Sequence, residues 1–436
     1  MQWPLCVCRS FSAGTWFLSE ENNVEVLGMV LAGGRGRRLY PLTRDRAKPA
    51  VSFGGQYRII DFVLSNLVNS EIYSIYVLTQ FKAQSLIDHI HEAWRFPHSE
   101  NQFVTSVPAQ MQKGSDWYRG TADALYQNIH LIKRASPDLV AVFSADHIYK
   151  MDIRQMVAFH RELDAEVTVA AVPAPMDKVP QFGGIEMKNN GLIIRFYEEP
   201  ANAKAFADSP DQALVSMGNY LVETDFLISV LDDDSMDVQS SHNLTRDILP
   251  KLVQKGRNVY AYDFRNNRIP TTLKSEEMSY WRDIGDIEAY YEANMDLCAV
   301  NPSLNLYNRS WPIRTTGYDD PPCKFVFDED GRRGRAVDSI VGEGTIISGT
   351  LVRDSVIGTN VRIHSYSLIE SSVIMSRVEI GRGCRIRRTI IDKNVYIPPG
   401  TEIGYDSEKD RKRYFVSDTG VVVIPREEPS RPWSIF

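Results

Sequence analysis

No run of about 18 or more consecutive apolar residues occurs in this 436-residue chain, so no helical membrane span and no membrane partner are expected. Cysteine is scarce. The five residues Cys6, Cys8, Cys298, Cys323 and Cys384 are odd in number and scattered, which fits neither a disulfide framework nor a zinc-ligand pattern and points to a reducing cytoplasm. An excess of positive charge is missing as well. With 49 Lys and Arg against 56 Asp and Glu the net charge is -7, which argues against a nucleic-acid partner. An anionic ligand must then be met by local arginines, lysines and backbone N–H groups. The first 26 residues carry neither a basic start nor a small-residue cleavage pattern, so they are expected to form an N-terminal extension rather than a signal peptide.

What is present is ordinary globular composition, 43% hydrophobic and 24% charged, in a chain long enough for two or three domains. Residues 27–300 alternate strand-like runs with helical patterns. VLGMVLA, Tyr73–Thr79, Asp138–Asp146, Glu166–Pro173 and Asn258–Phe264 read as strands, and FVLSNLVNS and TADALYQNIHLIKRA as helices. That alternation predicts an α/β domain on a largely parallel sheet, with ligands beyond the carboxyl ends of its strands. Residues 301–338, with Pro312, Pro321 and Pro322, read as a linker. In residues 339–436 aliphatic side chains recur every five or six positions, at Val341, Ile347, Val352, Ile357, Ile363, Ile369, Ile374, Ile380, Ile386, Ile391, Ile397 and Ile403. This period suits a hexapeptide-repeat parallel β-helix whose coils stack a buried aliphatic column; a Val/Ile-rich sandwich is the alternative. Glycines in VGEG, VIGTN and EIGRG are expected at corners with positive φ.

The first strand runs into LAGGRGRRL (Leu31–Leu39), where Gly33, Gly34 and Gly36 let backbone N–H groups approach a polyphosphate and Arg35, Arg37 and Arg38 add charge. No G-K-[ST] follows, and the spacing departs from the dinucleotide G-x-G-x-x-G, so this is neither a Walker loop nor a dinucleotide fingerprint. RAKPAV follows closely, with Arg46 and Lys48 held by Pro49, and suits charge stabilisation in phosphoryl transfer.

The glycine loop with AKPAV and RIIDF (Arg58–Phe62) resembles the nucleotidyltransferases that build nucleotide sugars. WYRGTADAL (Trp117–Leu125), SADHIYKMD (Ser144–Asp152), SMGNY (Ser216–Tyr220), SSHN (Ser240–Asn243), YWRDIGDIEAY (Tyr280–Tyr290) and WPIRT (Trp311–Thr315) narrow the resemblance to bacterial glucose-1-phosphate adenylyltransferases, over nearly the whole chain from about Val30. It implies a Rossmann-like nucleotidyltransferase domain followed by a left-handed parallel β-helix. The implied reaction joins ATP and glucose 1-phosphate into ADP-glucose and pyrophosphate for glycogen synthesis. The expected assembly is a homotetramer, or a hetero-oligomer with a paralogue.

The resemblance also implies residue roles. Asp146 and Asp283 match the carboxylates that hold Mg²⁺, and hard oxygens are suitable ligands for it. Arg35, Lys48 and Asp146 are the expected catalytic residues, with Arg35 and Lys48 at the triphosphate. Leu31, Gly33, Gly34, Gly36, Gln110, Trp117, Tyr118 and Gly120 match nucleotide-contacting positions, and Gln80 a position linked to activation. Gly183, Glu198, Glu199 and Ser216 fall at the sugar-phosphate side. Arg46, Arg58, Arg387 and Arg388 are candidates for an anionic allosteric effector, although Asp45 stands where some members place an effector-binding lysine. The main departure is Glu198–Glu199–Pro200–Ala201, where the family reads Glu-Lys-Pro-Ala and its lysine binds the sugar phosphate. A catalytically weakened regulatory paralogue is therefore the second expectation. A hexapeptide-repeat acyltransferase using His364 is a third, set back by the complete nucleotide loop.

Overall fold

The computed structural model describes residues 24–96, 102–110, 117–176, 179–197, 211–271, 277–278, 280–317, 319–329 and 331–426. The N-terminal part is built on a nine-stranded sheet. Its main path runs Ile193–Tyr197, Gly184–Met187, Gln212–Glu223, Leu139–Ser144, Val26–Ala32, Ser74–Thr79 and Phe103–Pro108. Val26–Ala32 is flanked on both sides by parallel strands, Ser74–Thr79 and Leu139–Ser144. Its nearly continuous apolar sequence follows from burial on both faces.

The sheet is more mixed than the alternating pattern predicts. The twelve-residue strand Gln212–Glu223 runs antiparallel to Leu139–Ser144 and to Val167–Pro175. Its pairing with Val167–Pro175 shifts register between Ser216 and Tyr220, at a bulge where Gly218 has φ 74°. Bulges re-aim side chains near functional sites, and this one turns Gly218 and Tyr220 toward the cavity described below. The predicted continuous helix over TADALYQNIHLIKRA is two helices, Thr121–Gln127 and Ile129–Ala135. The break is Asn128, whose side-chain amide donates to Ala124 O at 2.8 Å and to the Tyr118 hydroxyl at 2.8 Å, competing with the helical ladder.

The C-terminal part is a parallel β-helix with three faces. Two are five-stranded sheets, and the third has six strands, the last added antiparallel. The aliphatic column is buried as its spacing predicts: Ile347, Ile363, Ile380 and Ile397 stack down one face, Val352, Ile369, Ile386 and Ile403 down the next, Ile357, Ile374 and Ile391 down the third. Rungs begin at Lys324–Val326, inside the stretch expected as linker, because Phe325 already pairs in parallel with Ile347. Of the corner glycines, only Gly344 and Gly383 have positive φ. Gly342, Gly358 and Gly381 are glycine for a different reason: an added Cβ would lie 2.5–2.7 Å from backbone of the next coil.

The two parts share one apolar seam. Leu39, Leu42, Phe53, Phe62 and Tyr290 pack in a single cluster with Val356, Val373, Ile390 and Val423 of the β-helix. The chain between them is a packed strap. Trp311 is buried and its indole N–H donates to Asn66 Oδ1 at 3.2 Å, while the Thr315 hydroxyl donates to Asp61 Oδ2 at 2.7 Å. Asp61, fully buried, also meets His89, Trp94 and the Arg58 amide. Among the described residues Cys298, Cys323 and Cys384 are free thiols, and no helix is long and apolar enough to cross a membrane.

Candidate active site

The parallel strands Val26–Ala32, Ser74–Thr79 and Leu139–Ser144 end at one edge of the sheet, and the loops that leave them bound a cavity of about 590 Å³. Sheets of this kind bind ligands in the crevice where the chain leaves a central strand toward neighbours on opposite sides. Gly33, Gly34 and Gly36 form one wall, with Leu31 beneath them. Gly36 sits at φ 57° and caps the short helical turn Arg37–Leu39. A Cβ there would be 2.8 Å from Lys48 Cβ, so the loop and the lysine segment touch only because this residue is glycine.

Lys48 lies in the turn Lys48–Ala50, with Pro49 at its start. It is buried, and its ammonium reaches Asp146 Oδ2 at 3.1 Å and Asp283 Oδ1 at 3.5 Å. Asp146 follows the strand Leu139–Ser144. Asp283 ends the strand Tyr280–Asp283, which pairs antiparallel with His147–Lys150 and sets Asp283 opposite His147. Two carboxylates 137 positions apart in sequence thus meet around one lysine. Burial by itself would raise the Asp146 pKa. Lys48, His147 and a 2.6 Å hydrogen bond from the Ser144 hydroxyl outweigh it and hold the carboxyl well below the usual range, so Asp146 is ionised at any working pH.

His147 was not singled out by sequence reading. Its Nε2 lies 3.4 Å from Asp146 Oδ1 and 3.5 Å from Asp283 Oδ1, and its ring meets that of Trp281 at a tilt of 54°. Asp146, His147 and Asp283 each offer a ligand atom within 4.8 Å of the others, a donor set that fits a divalent cation.

The opposite wall comes from Tyr118, Gly120 and Thr121. Gly120 is needed for close approach: a Cβ would lie 2.2 Å from His242 O, the carbonyl that accepts the Ala122 amide. The far end is closed by Gly218, Tyr220, Asn243, Leu244 and Thr245, and Leu244 N donates to Thr121 Oγ1 at 2.9 Å, tying that end to the Tyr118–Thr121 wall. Gly218 and Tyr220 belong to SMGNY and Asn243 to SSHN, while Leu244 and Thr245 carried no sequence signal, because the bulge and the turn that aim these residues are tertiary features.

Other expected residues fall outside the cavity lining. Arg35 is exposed and faces the Phe81 ring, while Arg37 and Arg38 line the cavity instead. Gln110 is exposed past the end of Phe103–Pro108, and Trp117 is 52% exposed. Gly183 and Ser216 stand behind the wall, joined by the Ser216 amide donating to Gly183 O at 3.1 Å. Glu198 and Glu199 lie outside the described residues.

The four effector candidates do not converge. Arg46 is buried, donates to Leu42 O at 3.0 Å and forms a buried ion pair with Asp392 of the β-helix. Arg388 packs over Tyr291 and donates to Thr419 O, with Arg387 on the same strand end. Arg58 instead lines a second cavity, of about 490 Å³ between the two parts of the chain, with Arg377 and Lys393. Lys393 has its pKa pushed down to about 8, by burial first and then by Arg46 and Arg58. His364 is half-buried on the β-helix and paired with Glu379 at 2.8 Å.

Comparison with known proteins adds to this geometry. Residues 27–300 match the nucleotidyl transferase family model, and residues 321–424 match that of the GlmU-like C-terminal hexapeptide region. The chain is 52% identical over 409 residues to the glucose-1-phosphate adenylyltransferase of Thermus thermophilus, and 49% identical over 405 residues to that of an Anaeromyxobacter species. Each alignment covers 92% of this chain and 98% of the relative.

Proposed function

We propose that this chain, which belongs to the nucleotidyl transferase family and within it to the glucose-1-phosphate adenylyltransferases, transfers the adenylyl group of ATP to glucose 1-phosphate. The observation that carries the reading is the meeting of Lys48, Asp146 and Asp283 beside the glycine loop, in the cavity at the strand ends. A sugar-phosphate oxygen attacks the α-phosphorus, and pyrophosphate leaves. The transition state gathers negative charge, so positioning and cations matter more than a covalent nucleophile.

Each wall has work to do in that reaction. The Gly33–Gly36 backbone receives the triphosphate, and Arg37 and Arg38 lie where pyrophosphate departs. Tyr118, Gly120 and Thr121 hold the nucleoside, while Gly218, Tyr220 and Asn243–Thr245 bound the sugar end. Asp146 and Asp283 would hold Mg²⁺, which when bound offsets charge on the reacting phosphate. Lys48 supplies a fixed cation beside them, buried enough to act in low dielectric. An anionic effector would enter the second cavity, where Arg58, Arg377 and Lys393 outnumber Asp88 and Glu92 on its lining.

The test is direct. Purified protein with ATP, Mg²⁺ and glucose 1-phosphate should release pyrophosphate and form ADP-glucose, and Asp283→Asn should abolish both. Absence of turnover in the unaltered protein, with or without anionic metabolites, would overturn the reading.

A further inference from the structure

The sugar end of the cavity holds a chain of three hydroxyls whose polarity can be worked out. Ser216 Oγ accepts the Gly218 amide at 3.1 Å. Ser216 is buried, and the only other group within hydrogen-bond distance of its hydroxyl among the described residues is the Tyr220 hydroxyl, at 3.3 Å. The Tyr220 hydroxyl in turn meets Thr245 Oγ1 at 3.0 Å. A buried hydroxyl proton left without an acceptor is costly, so the Ser216 proton goes to Tyr220. Tyr220, having one proton, then donates it to Thr245. The chain runs Gly218 to Ser216 to Tyr220 to Thr245, and the Thr245 proton is the one left over. Thr245 lines the cavity, half-buried, so that proton is directed at whatever lies there.

Thr245 is also held in place. It is the second residue of the π-type turn Leu244–Ile248, its amide donates to Asn243 Oδ1 at 2.9 Å, and its methyl lies against Gly183, where an added Cβ would be 3.4 Å from Cγ2. Three bonds donated in the same direction polarise one another, which strengthens the last donor.

We propose that the Thr245 hydroxyl is a substrate-reading donor that recognises an oxygen of the hexose ring substituents and helps set which sugar phosphate is accepted. The proposal rests on the adenylyltransferase reading and assigns Thr245 to the sugar, not to the nucleotide.

Thr245→Val keeps shape and removes the hydroxyl; Thr245→Ser keeps the hydroxyl and removes the methyl. For Val, the KM for glucose 1-phosphate should rise about 5- to 10-fold, the loss expected of one neutral hydrogen bond, with kcat and the KM for ATP little changed. Preference for glucose 1-phosphate over galactose 1-phosphate and mannose 1-phosphate should fall in the same variant, and Ser should behave like the unaltered protein. An unchanged sugar KM in Val, an equal rise in the ATP KM, or a Ser variant as impaired as Val would each overturn the proposal. Calorimetric titration with glucose 1-phosphate separates the two levels. If the unaltered protein binds the sugar phosphate without turning over, the enzymatic reading fails, and the Val-to-unaltered ratio of Kd still decides the role of Thr245. No binding at all overturns both.

Discussion

Breaking the buried Arg46–Asp392 pair should destabilise the protein far more than loss of an effector contact would. The two side chains are only 5% and 4% exposed. The Arg46 Nε–H also donates to Leu42 O at 3.0 Å, and Asp392 Oδ1 accepts the Lys393 amide at 2.6 Å, so both ions are hydrogen-bonded where they lie. In Asp392→Asn the guanidinium keeps its burial and loses its counter-charge, with Lys393 and Arg58 close enough to bear on the same field. Removing one partner of such a pair costs about 3–5 kcal/mol, against about 0–1 kcal/mol for an exposed pair. Arg46→Met strands Asp392 instead and should cost a similar amount. The double substitution Arg46→Met, Asp392→Asn leaves no orphaned charge and should cost less than the two singles added together. Urea denaturation of the three variants, followed by tryptophan fluorescence, supplies the cycle. Single substitutions that each cost less than about 1 kcal/mol would refute the reasoning and return Arg46 to the pool of available anion ligands. Because Lys48 is two residues from Arg46, the singles should also lower turnover in the folded protein.

Other consequences can be checked with simple assays. Lys393 has a folded pKa of about 8 against an ordinary 10.5, so the unfolded chain binds more protons between those values. Its charge therefore opposes folding fully below about pH 8, and stability should rise with pH from about 8 toward 10.5; Lys393→Met should flatten that rise in thermal melts. An anion bound in the Arg58–Lys393 cavity would favour the charged lysine, so sulfate or a sugar bisphosphate should stabilise the protein less at pH 9 than at pH 7. Gly120→Ala sets a methyl 2.2 Å from His242 O, and should raise the KM for ATP by an order of magnitude or more as the nucleotide wall shifts. Glu199→Lys, which installs the lysine that the motif resemblance implies at that position, should lower the KM for glucose 1-phosphate with little change in that for ATP; an unchanged sugar KM would show that Glu199 does not meet the phosphate.

Local signals carried much of the architecture. The five- to six-residue aliphatic spacing favoured a stacked coil over a Val/Ile-rich sandwich because neither a helix nor a half-buried strand repeats at that interval, and every position from Ile347 to Ile403 in that series is buried. The glycine loop was legible because glycine at a close approach is dictated by steric need, whereas the carboxylates of SADHIY and YWRDIG were reached only through the resemblance to a known family. The antiparallel strand Gln212–Glu223 was not, since its apolar run is the same whichever way its neighbours point. Arg46 looked like a free cation, and only packing against the β-helix brings Asp392, 346 positions away, to neutralise it. His147 and Thr245 were passed over for the same reason: a histidine after an aspartate, or a threonine after a leucine, gains meaning only when a paired strand or a bulge turns it toward partners far off in the chain. The sequence by itself determined which chemical groups are available and which segments must bury apolar surface, because propensity and periodicity act over a few residues. Which of those groups face each other was decided by the tertiary structure, because that depends on contacts that close only when distant segments pack.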